Sequence, residues 1–133
     1  LTQPENSYAA HEAMVGHVEK LLQLLELPYR VLRLCGGDMG FTSALTYDLE
    51  VWSAAQGRWL EVSSVSNFEA FQANRLKCRY KVEGGKTQLL HTLNGSALAL
   101  PRIVAALLEN NQTPQGIRLP AVLHSYCGFA QIG

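Results

Sequence analysis

Apolar residues recur at three- and four-residue spacing near the start of the chain. Met14, Val18, Leu21, Leu22 and Leu25 fall on one stripe, which predicts a helix over Pro4–Leu27 whose face lies on a sheet. Asn6 or Ser7 is placed to cap it, with Pro4 upstream, and Pro28 stops it. The period then changes to two. Tyr29–Cys35 alternates and predicts a strand, broken by Gly36-Gly37-Asp38-Met39-Gly40. Thr46–Ser53 and Arg58–Ser64 predict two more strands joined by Ala54–Gly57, with Gly57 free to take a positive φ. On the first, Tyr47, Leu49 and Val51 oppose Asp48, Glu50 and Trp52; on the second, Leu60 and Val62 oppose Trp59, Glu61 and Ser63. Phe68–Leu76 reads as a short helix. Lys77–Val82 and Thr87–Leu93 read as a hairpin about Gly84-Gly85. Asn94-Gly95-Ser96 reads as a loop, Ala97–Asn110 as an apolar helix, Thr113–Gly116 as a polar turn, and the remainder as a short helix and tail. Strands joined by short turns pair antiparallel, so the fold class is α+β: a mainly antiparallel sheet with flanking helices.

Composition narrows the function classes. The chain has 133 residues, suiting one domain, and 47% are hydrophobic, enough for a core. Eleven basic residues balance eleven acidic ones, so bulk charge announces neither nucleic acid nor membrane. No apolar run approaches the ~20 residues of a membrane span. The first residues lack the basic-then-apolar order of a signal peptide, and the missing initiator Met suggests a piece of something longer. Cys35, Cys78 and Cys127 show no metal spacing; the expectation is reduced, buried or half-buried thiols in a cytoplasmic protein.

Three groups of residues carry candidate chemistry. Leu93-Asn94-Gly95-Ser96 ahead of an apolar helix offers free backbone N–H groups and a positive dipole end, and Arg102, expected about two turns in, can present a planar fork to a phosphate. The plainer reading is Ser96 as an N-cap with a surface arginine. Glu61-Val62-Ser63-Ser64, with Asn67, places a glutamate on a strand; Mg²⁺ needs only one or two carboxylates when phosphate oxygens complete its shell. The plainer reading is a solvated strand face, for Asp48 and Glu50 as well. Lys77, Arg79 and Lys81 alternate onto one face, a ridge that suits RNA phosphate or simply water. His11, His17, His91 and His124 are expected to be structural.

Read together, Gly37-Asp38-Met39-Gly40, Thr46–Trp52, Glu61–Asn67, Phe71-Gln72-Ala73-Asn74-Arg75 and His91–Ser96 resemble the seryl-tRNA synthetase catalytic domain, a class II aminoacyl-tRNA synthetase. The match runs in order over nearly the whole chain. It implies activation of L-serine with ATP and Mg²⁺ and transfer to tRNA(Ser), in a cytoplasmic homodimer without a membrane segment. It gives Glu61 and Arg102 catalytic roles. It lines ATP with Glu61, Val62, Ser63, Ser64 and Arg102, assigns the metal to Glu61 and Ser64, and gives the serine substrate to Asn94 and Ser96. Ala97 and Pro101 stand where the family often has glycine. The resemblance makes residues 1–133 the C-terminal portion of the catalytic domain, without the tRNA-binding coiled-coil arm and the first two class motifs. The competing readings are a non-catalytic synthetase-like binding module for nucleotide, amino acid or protein, and a structural domain with no ligand.

Overall fold

The computed structural model describes residues 1–133. A 3₁₀ turn, Pro4–Asn6, leads into α1, Ser7–Leu24. The helix starts later and ends sooner than its apolar stripe suggested, and no side chain caps it. Ser7 Oγ instead donates to Pro4 O at 3.0 Å. Next come β1 (Tyr29–Arg33), β2 (Leu45–Ser53), β3 (Arg58–Asn67), α2 (Phe71–Leu76), β4 (Arg79–Lys81) and β5 (Thr87–Leu89). Then follow β6 (Leu93–Gly95), α3 (Leu100–Asn110), β7 (Gln112–Thr113), β8 (Gly116–Arg118), α4 (Ala121–Cys127) and β9 (Gln131–Ile132).

The main sheet has four antiparallel strands in the order β1-β2-β3-β6. β4 and β5 form a separate ribbon, and β7-β8-β9 a small terminal sheet. The α+β expectation holds. Gly57 (φ 61) turns the β2–β3 hairpin, and Gly84 and Gly85 (φ 88 and 83) the β4–β5 hairpin, as their positions suggested.

Helices α1 and α3 cover one face of the main sheet. Val15, Val18, Leu22 and Leu27 meet Leu49, Val51, Val62, Val65, Ile103 and Ala106 in one core. Leu21, expected on the buried stripe, is 40% exposed; His11 takes a buried place instead. Its Nε2 donates to Val65 O at 2.8 Å and its ring stacks on Tyr47 at 5.3 Å, so it is a structural histidine. His91 and His124 are also tied by hydrogen bonds, to Ser7 Oγ and Leu119 O. All three cysteines are free, but Cys35 and Cys127 are exposed rather than buried.

Leu22 is fully buried at the centre of this core. Leu22→Ala should therefore cost about 2–5 kcal/mol, from lost transfer energy plus the cavity left behind. Chemical denaturation measures it, and a loss below about 1 kcal/mol would remove Leu22 from the shared core.

Candidate active-site face

The second face of the main sheet carries no helix and is polar. Cross-strand partners share a face, so the register gives its layout. At one end Trp52 pairs with Trp59; then Glu50 with Glu61, Asp48 with Ser64, and Thr46 with Ser66, which pairs in turn with Asn94 of β6. Strict alternation would have put Glu61 and Ser64, three apart, on opposite faces. A β-bulge prevents this: Leu49 opposes Ser63 and Glu50 opposes Glu61, leaving Val62 as the extra residue. Val62 and Ser63 both turn into the core, each 1% exposed, while Glu61 and Ser64 share the open face. Ser63 therefore does not share Glu61's face, as simple alternation implied. Anything Val62 and Ser63 offer a ligand comes from their backbone.

β3 also runs on to Asn67, beyond the expected end at Ser64. Residues 94–96, expected as a loop, begin as edge strand β6. Gly95 fits there because it lies on Val65; a Cβ would come within 3.0 Å of Val65 Cγ2 and 3.3 Å of Ser64 O. Ser96 is clamped to β3: its N–H donates to Ser64 O at 3.2 Å, its Oγ accepts from Ser64 N at 3.4 Å, and its carbonyl accepts from Ser63 Oγ. It is not a helix cap. α3 begins at Leu100 with Ala99 in the N-cap position, and Pro101 sits in the first turn, where a missing N–H costs nothing. Arg102 is thus in the first turn of α3, not two turns in. Its Nη1 donates to Glu61 O at 2.5 Å, and Ala99 N donates to Val62 O at 2.7 Å. The carbonyls at the bulge so dock the start of the helix.

The electrostatics of this face are uneven. Glu50 and Glu61 are direct cross-strand partners, a repulsive placement. Glu50 is neutralised by Arg30 at 2.5 Å, the one ion pair of the chain, while Glu61 has no cation on its carboxylate. Arg30 also lies over the Trp59 ring, 4.9 Å from its centroid, and Trp59 meets Trp52 edge-on. Asp48 Oδ1 is buried without a hydrogen-bond partner. No three His, Cys, Asp or Glu residues cluster as a metal cage. On the helix-covered side, burial raises the Tyr47 phenol pKa above its usual value, and a hydrogen bond to Glu12 adds to this. From sequence alone Asp48 sits on a solvated strand face, and Thr46 and Ser66 have no role of their own. The alternation that placed Asp48 beside Glu50 was the available signal, and the hydroxyl pair Thr46–Ser66, 2.7 Å apart, becomes visible only with the register.

An open antiparallel sheet face, edged by a strand that leads into a helix bearing a first-turn arginine, is where the comparisons with known proteins bear. Residues 1–111 match the model of the tRNA synthetase class II core domain (G, H, P, S and T), and the chain belongs to that family. Within it, the similarity runs to the serine enzymes. The chain is 64% identical to the serine–tRNA ligase of Salinibacter ruber over 135 aligned positions, covering 100% of this chain and 32% of that protein. It is 59% identical to that of Acidithiobacillus ferrooxidans, covering 96% and 31%. Among solved structures, seryl-tRNA synthetase from Pyrococcus horikoshii complexed with ATP superposes with a TM-score of 0.93 at 42% identity, covering 98% of this chain and 30% of that one. The cytoplasmic serine–tRNA ligase of Naegleria fowleri in complex with AMP superposes at 0.86 and 33% identity, covering 98% and 31%. The chain thus spans about a third of the length of these relatives. No helix is long and apolar enough to cross a membrane.

Proposed function

We propose that this chain supplies part of the active site of a serine–tRNA ligase, in which L-serine reacts with ATP to give seryl-adenylate and the seryl group passes to tRNA(Ser). The observation that carries this reading is the gathering of Glu61, Ser64, Asn94 and Arg102 about one open sheet face, reinforced by the identity to serine–tRNA ligases. Residues 1–133 would be the C-terminal portion of the catalytic domain. The other two thirds of such a protein would bring the tRNA-binding arm, the arginine for the α-phosphate and the glutamate for the serine amino group. The protein would act as a cytoplasmic homodimer.

The donors fit Mg²⁺. Glu61 offers an unpaired carboxylate beside a like-charged neighbour, and Ser64 a hydroxyl on the same face. A hard cation with few protein ligands suits such a pair better than a closed metal cage. When bound, the ion supplies neutralisation of the phosphate oxygens. Glu61 and Ser64 hold the nucleotide's metal end in place, and the backbone at Val62 and Ser63 lines it. Arg102 leaves the Glu61 carbonyl to direct its fork at the terminal phosphate. Asn94, whose side chain makes no hydrogen bond within the chain, accepts from or donates to serine, and Ser96 backs it from the same edge. The helix start adds positive potential where phosphate lies.

The test is amino-acid-dependent ATP–pyrophosphate exchange by the full-length protein, with serine, threonine, alanine and glycine compared. Exchange that depends on serine is expected. Exchange with another amino acid alone would overturn the substrate, and none at all would overturn the ligase in favour of a binding module.

A further inference from the structure

Hydrogen bonding across the open sheet face leaves one buried polar atom without a partner. Asp48 stands in the middle of that face, between the Glu50–Glu61 pair on one side and the Thr46–Ser66 pair on the other. Its Oδ1 is closed off from solvent yet accepts no hydrogen bond. The atoms that close it off are this chain's own, so further chain laid over the face does not reach it. A desolvated carboxylate oxygen with no donor is among the more costly unmade hydrogen bonds. Such atoms are rare in folded proteins, and each needs a physical reason.

The register names the side chains beside it. Along β2 the same face carries Thr46 and Glu50; across the ladders stand Leu32 on β1 and Ser64 on β3. Leu32 has nothing to donate. Glu50 is itself a carboxylate, already held by Arg30. Thr46 shares its hydroxyl with Ser66 at 2.7 Å and donates to Ser43 at 3.2 Å. That leaves the Ser64 hydroxyl. It makes no hydrogen bond within the chain, while the Ser64 backbone is engaged by Ser96. Residues directly opposite in an antiparallel pair have Cβ atoms about 4.5–5.5 Å apart, so a change of rotamer brings the hydroxyl to the carboxylate. Two unused groups, one donor and one acceptor, thus face each other across the β2–β3 ladder.

We propose that Asp48 is a positioning residue for the metal: its carboxylate accepts a hydrogen bond from the Ser64 hydroxyl and so turns a lone pair of Ser64 Oγ toward Mg²⁺. A hydroxyl has one proton and two lone pairs. An oxygen that gives a lone pair to a cation has to point its proton elsewhere, and the cation makes that proton a stronger donor. Asp48 is the acceptor standing directly opposite. The proton stays on Ser64 throughout. This inference deepens the ligase reading and rests on it for the metal and for Ser64 as its ligand; the part given to Asp48 comes from the unpartnered oxygen and the register. Groups that hold a metal ligand in this way change metal affinity by about 10- to 100-fold when they are removed.

The experiment uses the full-length protein in excess of a non-hydrolysable ATP analogue, with Mn²⁺ in place of Mg²⁺ and free Mn²⁺ read by electron paramagnetic resonance. Asp48→Asn should weaken Mn²⁺ binding by about 10- to 100-fold. Ser64→Ala should weaken it to a similar extent. Adding Asp48→Asn to Ser64→Ala should cost little more, because two residues that act through one hydrogen bond are not additive. Without metal, Asp48→Asn should melt no lower than the unaltered protein, since it removes a charge whose buried oxygen has no donor. Unchanged Mn²⁺ affinity in Asp48→Asn would overturn the proposal. So would losses that multiply in the double variant, which would make Asp48 act by charge alone, or a lower melting temperature, which would make it a structural residue. Absence of Mn²⁺ uptake by the unaltered protein would overturn it as well. Serine-dependent exchange is a separate readout: its absence in the unaltered protein rejects the ligase, while the Mn²⁺ series decides Asp48 either way.

Discussion

Glu61→Gln in the full-length protein should lower serine-dependent ATP–pyrophosphate exchange by about 10²- to 10⁴-fold without lowering stability. A carboxylate that holds a phosphate-bound cation contributes several kcal/mol to the transition state, and each 1.36 kcal/mol is about tenfold in rate. The stability half of the prediction separates this role from a structural one. Glu61 is exposed, has no ion-pair partner, and sits directly across from Glu50. Neutralising it relieves a like-charge contact, so the folded state should be as stable as before or slightly more so. A surface glutamate would give the same stability result with full exchange. An unchanged rate with the same Mg²⁺ dependence would refute the assignment.

The second large effect concerns the amino acid. Serine should be preferred over alanine by about 10⁴ or more in kcat/KM, because groups arranged to hydrogen-bond a hydroxyl are left unpaired by an analogue that lacks it. Asn94 is the sharper probe of this pocket. Its side chain makes no hydrogen bond within the chain, whereas Ser96 Oγ already accepts from Ser64 N and its backbone is tied to β3 on both sides. Asn94→Ala should therefore cut the serine-to-alanine ratio by at least tenfold and leave the fold intact. Ser96→Ala should do less to the ratio and more to the local strand. Comparable use of alanine and serine by the unaltered protein would count against the pocket, and an unaltered ratio in Asn94→Ala would move recognition elsewhere.

Much of the fold could be read in the residue pattern, since strong periodicity marks elements well. The long helix, β2, β3 and both hairpins were visible, down to the glycines that turn them. What the pattern missed was set by longer-range contacts. Alternation cannot see a bulge, so it placed Ser63 rather than Ser64 with Glu61. Asn94–Ser96 carries loop chemistry, yet it pairs because β3 extends beside it to Asn67. The apolar residues before Leu100 looked helical, but Ala97 to Ala99 descend along β3, where Ala99 N finds Val62 O. Cys35 and Cys127 were expected buried or half-buried on residue type alone, but Cys35 follows the largely exposed β1 and Cys127 ends α4, which buries no residue. The candidate site residues were nominated mainly by resemblance. Their own chemistry gave a glutamate, hydroxyls and an arginine, each with an ordinary surface reading beside it, and only the register brings them to one face.

The bulge at Val62 makes the spacing of this strand a mechanical part. One surplus residue inverts the inside–outside sense of everything before it, so Trp59 and Glu61 keep company with Ser64 and Ser66. The same distortion anchors α3 through two carbonyls, those of Glu61 and Val62. Orientation of the carboxylate and delivery of the arginine are therefore geared to one another. Chain length matters less at the exposed Glu83–Lys86 turn of the separate β4–β5 ribbon. Between Glu61 and Ser64 it matters more. Dropping a single residue there would restore a regular ladder with Glu61 still on the face of Ser64, and would take away one of the two carbonyls that hold the start of the helix carrying Arg102.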